Sequence, residues 1–200
     1  MTRSIFAAVA VSLAGLAFAP AFLEGCKATG VGDPCVPEQE YEPTFGGFSE
    51  LEVNVESKSF QCQTRLCLVN HFRGRVSCAD GQDVAGTPPE GKSACVIPGS
   101  TDKVTGDKNQ PKKGACVAAQ CADRPADKTV YCSCRCANID GKTDDGANYC
   151  KCPDGYACSQ LVTSIGAGDT GLTGAYCVKS GTEYNGQACG NAPRSTSCAQ

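Results

Sequence analysis

Six cysteines fall within 27 residues, at Cys132, Cys134, Cys136, Cys150, Cys152 and Cys158. Thiols at this density have two chemistries. As thiolates they are the soft ligands that zinc or copper(I) requires. Oxidised, they become staples. Residues two apart on an extended strand share a face, so Cys132, Cys134 and Cys136 would point one way, and Cys150 and Cys152 would do the same. Two such strands side by side would gather five sulfurs. Tyr131, Tyr149 and Tyr156 flank these cysteines, whereas small thiolate metal-binders are nearly free of aromatics. Disulfides are therefore the expected state and a soft-metal cluster the alternative.

Between the two arms of this block runs an acidic glycine turn in which Asp140, Asp144, Asp145 and Asn148 offer hard oxygen ligands to calcium. Its spacing is not that of the twelve-residue EF-hand loop, and it lacks the closing bidentate glutamate. Calcium binding is thus the alternative to a plain hairpin loop. No cofactor is expected. Catalytic signals are weak throughout. The one histidine, His71, has no partner nearby in sequence and reads as a surface or structural residue rather than a general base. There is no Cys-x-x-Cys redox pair, no nucleophile elbow, and no two carboxylates stand out as an acid–base couple. The expectation is a protein that is not an enzyme.

Composition supplies the setting. Residues 1–25 have the order of an export signal: Arg3, then an uncharged run from Ile5 to Phe22 broken by Gly15 and Pro20, with Leu23-Glu24-Gly25-Cys26 following. Two processing sites compete, Ala17-Phe18-Ala19 and Leu23-Glu24-Gly25-Cys26. The second resembles the bacterial lipoprotein signal, whose cysteine is lipidated, and parity favours it. Of the 17 cysteines, removing Cys26 leaves an even set that can pair completely: Cys35, Cys62, Cys67, Cys78, Cys95, Cys116, Cys121, Cys132, Cys134, Cys136, Cys150, Cys152, Cys158, Cys177, Cys189 and Cys198. From Lys27 onwards about 9 % of residues are cysteine, a density of oxidising compartments. With no Trp and a net charge of -3, a thin core is expected and a nucleic-acid partner is not.

The elements that must carry these cysteines are short. The expected fold class is small, disulfide-rich and mainly β, with long loops, short hairpins and little helix apart from the signal segment. Residues 26–48, punctuated by glycine and proline, read as a tether-like arm. Residues 49–100 read as a small β-rich unit. In it, Glu50 to Phe60 alternates as a half-buried strand, with Leu51, Val53 and Val55 inward and a solvated row of Glu50, Glu52, Asn54 and Glu56. A hairpin turning at Gly74 then crosses Cys62, Cys67 and Cys78. Residues 101–114 read as a polar loop or linker. Residues 115–180 form the central cysteine-dense unit. There, Cys116–Cys121 is a helical turn or short strand, Asp127 to Tyr131 is extended, and Ala175 to Val178 is a final strand. Residues 181–200 read as a stapled tail. Sixteen cysteines allow about two million complete pairings, so connectivity is not legible.

Cys150-Lys151-Cys152-Pro153-Asp154-Gly155-Tyr156-Ala157-Cys158 resembles the end of an EGF-like module, which implies a small disulfide-linked hairpin. The wider pattern is a lipoprotein-like leader with Val130-Tyr131-Cys132-Ser133-Cys134-Arg135-Cys136 and Tyr149-Cys150-Lys151-Cys152-Pro153. It resembles uncharacterised cysteine-rich surface lipoproteins of myxobacteria-type bacteria, a family that implies no activity for any residue. The resulting expectation is a non-catalytic, disulfide-stabilised lipoprotein of the cell envelope or surface, structural or adhesive. It would be anchored to a cell or outer membrane through Cys26 and face the periplasm or exterior, or be secreted if Cys26 is not lipidated. Its partner, a surface protein or a polysaccharide, is left open. A surface module binding calcium or a soft metal is the alternative.

Overall fold

A computed structural model describes residues 30–83, 86–106, 115–162, 172–187 and 189. The export signal, Cys26 with its competing cleavage site, most of the polar loop, the glycines of 166–171 and Cys198 lie outside them. The described chain is a small, disulfide-rich domain, mostly strand with little helix. Two three-stranded antiparallel sheets form it. The first has the order β1 (Val53–Glu56), β2 (Cys67–Asn70), β3 (Val130–Cys132), and the second the order β4 (Arg135–Ala137), β6 (Gly174–Lys179), β5 (Tyr156–Val162).

Strand β2 shows why the layers stack as they do. All four of its residues are buried, so both of its faces are covered. Cys67 and Val69 face a cluster with Cys35, Phe48, Phe72, Val130 and Cys132. Leu68 faces the other way, towards Tyr131, Tyr176 and Val162, with Val53 and Val55 packed alongside. This second cluster is the interface between the sheets. Tyr131 of β3 and Tyr156 of β5 meet edge to face there, with centroids 5.7 Å apart. The Lys179 N–H donates to the Tyr131 hydroxyl across the same gap, at 2.9 Å. On its far side β6 buries Ala175 and Cys177 against Cys134 and Cys136.

The tether-like arm is corrected over its described part, because residues 30–48 are laid into the body. The Gly32 N–H donates to the Cys132 carbonyl (2.8 Å), and the Cys132 N–H donates to the Asp33 carbonyl (2.7 Å). Cys35 is bonded to Cys67. Glu40, in a single 3-10 turn (Glu38–Tyr41), is fully buried beside Arg75, with Oε2 3.8 Å from Nε. Its carboxylate also accepts from the Val76 N–H at 2.7 Å.

Other local expectations change for identifiable reasons. The long strand from Glu50 shortens to β1 because Ser49 and Glu52 close a turn first: the Ser49 N–H donates to Glu52 Oε1 (2.7 Å) and the Glu52 N–H to the Ser49 carbonyl (3.1 Å). Leu51 is left 67 % exposed. The acidic row is not merely solvated, since Glu56 Oε2 accepts from the Glu38 N–H at 3.1 Å. Gly74 turns no hairpin. It pairs with Phe48 as an isolated bridge, with φ at +98°, where a Cβ would run into the Ala118 carbonyl. Residues Ala126–Thr129 form one helical turn, α1, rather than a strand. Cys116–Cys121 is neither helix nor strand, although Val117 makes an isolated bridge to Gln82. The start of the expected linker is structured too, with Lys103 bridged to Val96 and Val104 only 1 % exposed. β6 covers the expected final strand.

The two cysteine-rich segments share one sheet, for β3 pairs with β2 through Cys67↔Cys132, Leu68↔Tyr131 and Val69↔Val130. Cys62–Cys132 crosslinks them again. No helix among the described residues is long and apolar enough to cross a membrane.

Candidate functional site

The cysteine block sits where the chain passes from one sheet to the other. It is not one continuous strand: β3 ends at Cys132, Ser133 and Cys134 step across, and β4 starts at Arg135. Ser133 is fully buried and anchors the step, its N–H donating to the Leu66 carbonyl (3.0 Å) and its hydroxyl to the Cys177 carbonyl (2.8 Å). The three thiols expected on one face therefore reach three different partners: Cys132 to Cys62, Cys134 to Cys150 and Cys136 to Cys158. Cys150 and Cys152 lie in irregular chain rather than a strand, the former held by its N–H to the Arg135 carbonyl at 3.0 Å. Cys152 bonds to Cys177. Elsewhere Cys35–Cys67, Cys78–Cys95 and Cys121–Cys189 complete seven disulfides that join described residues to one another. Cys116 is also disulfide-bonded.

The sulfurs do crowd together. Cys177 Sγ lies 3.7 Å from Cys134 Sγ and 3.6 Å from Cys150 Sγ. Three triads, Cys35/Cys62/Cys132, Cys134/Cys150/Cys177 and Cys136/Cys152/Cys177, have their sulfurs within 4.8 Å of one another. Every member is in a disulfide, and a disulfide sulfur is not a thiolate ligand. Filling any triad with a soft metal would require two disulfides to be reduced.

The acidic turn is organised from within by Asn138, which lies outside the four candidate ligands. Asn138 Oδ1 accepts from the Asp140 and Lys142 N–H groups at 3.0 and 2.8 Å. Asp145 accepts from the Tyr149 hydroxyl (2.7 Å), the Ala147 N–H (3.1 Å) and Asn138 Nδ2 (3.2 Å). The Tyr149 bond, followed by the Ala147 bond, holds the Asp145 carboxyl below its usual range. Among the described residues, the carboxylates of Asp140, Asp144 and Asp145 are not gathered within the 4.8 Å that would unite a metal shell. Asn148 is exposed.

A different place gathers polar groups around a cavity. Where β2 ends, Asn70 and His71 line a space of about 210 Å³ together with Ser159 and Leu161 of β5, Val178 of β6, and Tyr184. His71 has φ at +51°, a conformation uncommon outside glycine and worth noting at a site. Arg124 holds it there: Nε donates to the His71 carbonyl (2.8 Å) and Nη2 to the Asn70 carbonyl (2.9 Å). The imidazole stacks on the Tyr184 ring at 3.9 Å. Its Nδ1 is 3.0 Å from the Glu50 carbonyl. A carbonyl only accepts, so Nδ1 carries the proton and Nε2 of the neutral ring is an acceptor. Burial, with the Arg124 charge adding to it, lowers the His71 pKa from its ordinary 6.5.

Asn70 is 1 % exposed, and both Oδ1 and Nδ2 are buried without a hydrogen-bond partner. The Tyr184 hydroxyl is buried and unpartnered as well. Orphaned polar groups are rare and cost about 1–3 kcal/mol each when nothing meets them. Asn70 and Tyr184 both line the cavity, but these three atoms are closed to solvent and lie behind its wall. The sequence set His71 aside as a surface or structural residue and singled out neither Asn70 nor Tyr184, because residues so distant along the chain meet only through the packing of β2 against β5 and β6. No family model, curated protein or solved structure matches this chain.

Proposed function

We propose that this chain is an exported, non-catalytic lipoprotein of the cell envelope or surface, anchored to the membrane through Cys26 and structural or adhesive in role. The observation that carries the reading is the oxidation state of the cysteines. All fifteen cysteines among the described residues are disulfide-bonded, as suits an oxidising compartment. Fourteen of them pair with one another in the seven disulfides above. With Cys26 lipidated, parity leaves Cys198 as the expected partner of Cys116. An adhesive role draws support from a cleft of about 420 Å³ lined by Tyr41, Phe60, Glu38, Glu56 and Lys58. Its two aromatics are 45 % and 88 % exposed; rings shown so openly together suit a contact surface better than a core.

The test is the mass of the mature protein, taken from the envelope without reduction, followed by a peptide map. The expected result is a chain beginning at an acylated Cys26, with Cys116 linked to Cys198. A free amine at Pro20, or a Cys26–Cys116 crosslink, would overturn the anchor.

A further inference from the structure

We propose that the outer edge of β5 is a dimerisation surface. Two copies of this chain pair β5 to β5, antiparallel across a two-fold axis at Ser159, and so join their second sheets into one sheet of six strands.

A sheet edge presents a row of unpaired N–H and C=O groups, and proteins blunt such edges by shortening, charging or covering them. The two sheets end in β1 and β3, and in β4 and β5. β1 is short and charged: it has four residues and closes on Glu56, with Glu52 ahead of it and Lys58 beyond. β3 is covered by the N-terminal segment, through the Gly32 and Asp33 bonds to Cys132. β4 is covered where the Cys150 N–H donates to the Arg135 carbonyl at 3.0 Å. β5 is neither short, charged nor covered. At seven residues it is the longest described strand, and it carries no charge, glycine or proline. Among the described residues, its backbone bonds to β6 and, through the Tyr156 N–H, to the Pro153 carbonyl. Cys158 and Gln160 are exposed and Val162 alone in the strand is buried. An irregularity between Gln160 and Val162 leaves Tyr156 to Gln160 in continuous register with β6.

The occupant is a second copy because the strand is its own complement. Self-pairing about Ser159 sets Tyr156 against Val162, Ala157 against Leu161 and Cys158 against Gln160. An aromatic residue opposite a β-branched one is a favourable cross-strand pair, and no like charges meet. β5 has no charge by which to select a foreign strand, so what it recognises is backbone and its own side-chain pattern. The contact is isologous and therefore closes. With the β4 edge covered, each second sheet has one open edge, and assembly stops at two copies instead of growing into a fibre. A contact of seven paired residues is small, so the dimer is weak and reversible.

This inference goes beyond the proposed anchor and does not rest on it. The mature protein is taken in a mild nonionic detergent, which keeps acyl chains apart if Cys26 carries them. Sedimentation velocity is followed from about 1 μM to about 1 mM, the range of weak interfaces. The expected result is a monomer that passes to a dimer, and to nothing larger, as concentration rises. Hydrogen exchange across residues 156–162 should slow in step with the dimer, because the outward amides of β5 gain partners. Gln160 is exposed, so its charged variants keep the fold, and across the axis the two copies of residue 160 are diagonal neighbours within reach of long side chains. Gln160→Lys and Gln160→Glu should each weaken the dimer about threefold or more, and an equimolar mixture of the two should associate more tightly than either alone. Should those variants fail to fold, the exchange measurement on the unaltered chain carries the test. A monomer throughout the concentration range would overturn the proposal. So would a dimer that leaves exchange at residues 156–162 unchanged, or one that both Gln160 variants leave intact.

Discussion

Buried Glu40 and half-buried His71 contribute to the pH dependence of stability with opposite signs. Glu40 and Arg75 are both fully buried. Burial raises the Glu40 pKa from 4.5 despite the lowering effects of the Val76 bond and the Arg75 charge. A carboxyl raised on folding is better tolerated protonated, so its contribution to stability declines as pH rises from 4.5 through its folded value. Arg75→Met would leave a buried carboxylate without its cation and should cost about 3–5 kcal/mol at neutral pH. The deficit should shrink as pH falls and Glu40 takes up its proton, and Glu40→Gln/Arg75→Met should recover most of the loss. Urea unfolding of the three proteins at several pH values checks this. His71 behaves oppositely: its pKa is lowered from 6.5, so the stability it contributes is complete above 6.5 and is lost as pH falls through the folded value. Its ring resonances should titrate with a midpoint below 6.5. His71→Asn, which tolerates the left-handed backbone, should remove that part of the pH dependence.

At the scale of elements, β3 and β4 are too short to stand without crosslinks. β3 and β4 have three residues each, and disulfides at or beside their ends do the work that longer ladders do elsewhere. These crosslinks differ in reach for a reductant. Cys158 is exposed on β5, whereas Cys62 and Cys132 are 2 % and 0 % exposed. Stepwise reduction with alkylation and peptide mapping should open Cys136–Cys158 before Cys62–Cys132, since exposed disulfides are the labile ones. Replacing both Cys62 and Cys132 by serine should cost about 2–5 kcal/mol, because that pair ties β3 to the segment entering β2. The glycine bridge to Phe48 has its own test. Gly74 and Gly141 both have positive φ, but only at Gly74 does a Cβ meet backbone, the Ala118 carbonyl; nothing lies within 4 Å at Gly141. Gly141→Ala should cost about 1–2 kcal/mol from conformation alone, and Gly74→Ala clearly more, as read by thermal or urea unfolding.

Across the whole molecule, the expectation is that the mature, denatured protein titrates with no free thiols when Cys26 is acylated. One free thiol per chain would be found if Cys26 is retained and unmodified. The disulfide-rich, mainly β class was legible from cysteine density, scarce large apolar residues and brief alternating runs, since these depend only on local composition and period. The Val53 and Val55 face and the Ala175 to Val178 strand were legible for the same reason. Much of the rest was not. Glu40 looked like part of a tether-like arm, and its burial follows from a partner, Arg75, on another stretch of chain. The Cys132–Cys136 run looked like one strand because its side-chain period fits one. Ser133 breaks it by bonding at once to Leu66, just ahead of β2, and to Cys177 of β6, a fact of packing that no window of sequence contains.

That block, read alone, pointed to disulfides with a soft-metal cluster as the alternative, because spacing and compartment chemistry act through neighbours in the chain. Which partners its cysteines take, and that the Cys132–Cys136 run is split between two sheets, were decided only by the tertiary structure. The physical reason is that burial and hydrogen-bond satisfaction are properties of surfaces brought together, and β2 is buried on both faces by segments remote from it in sequence.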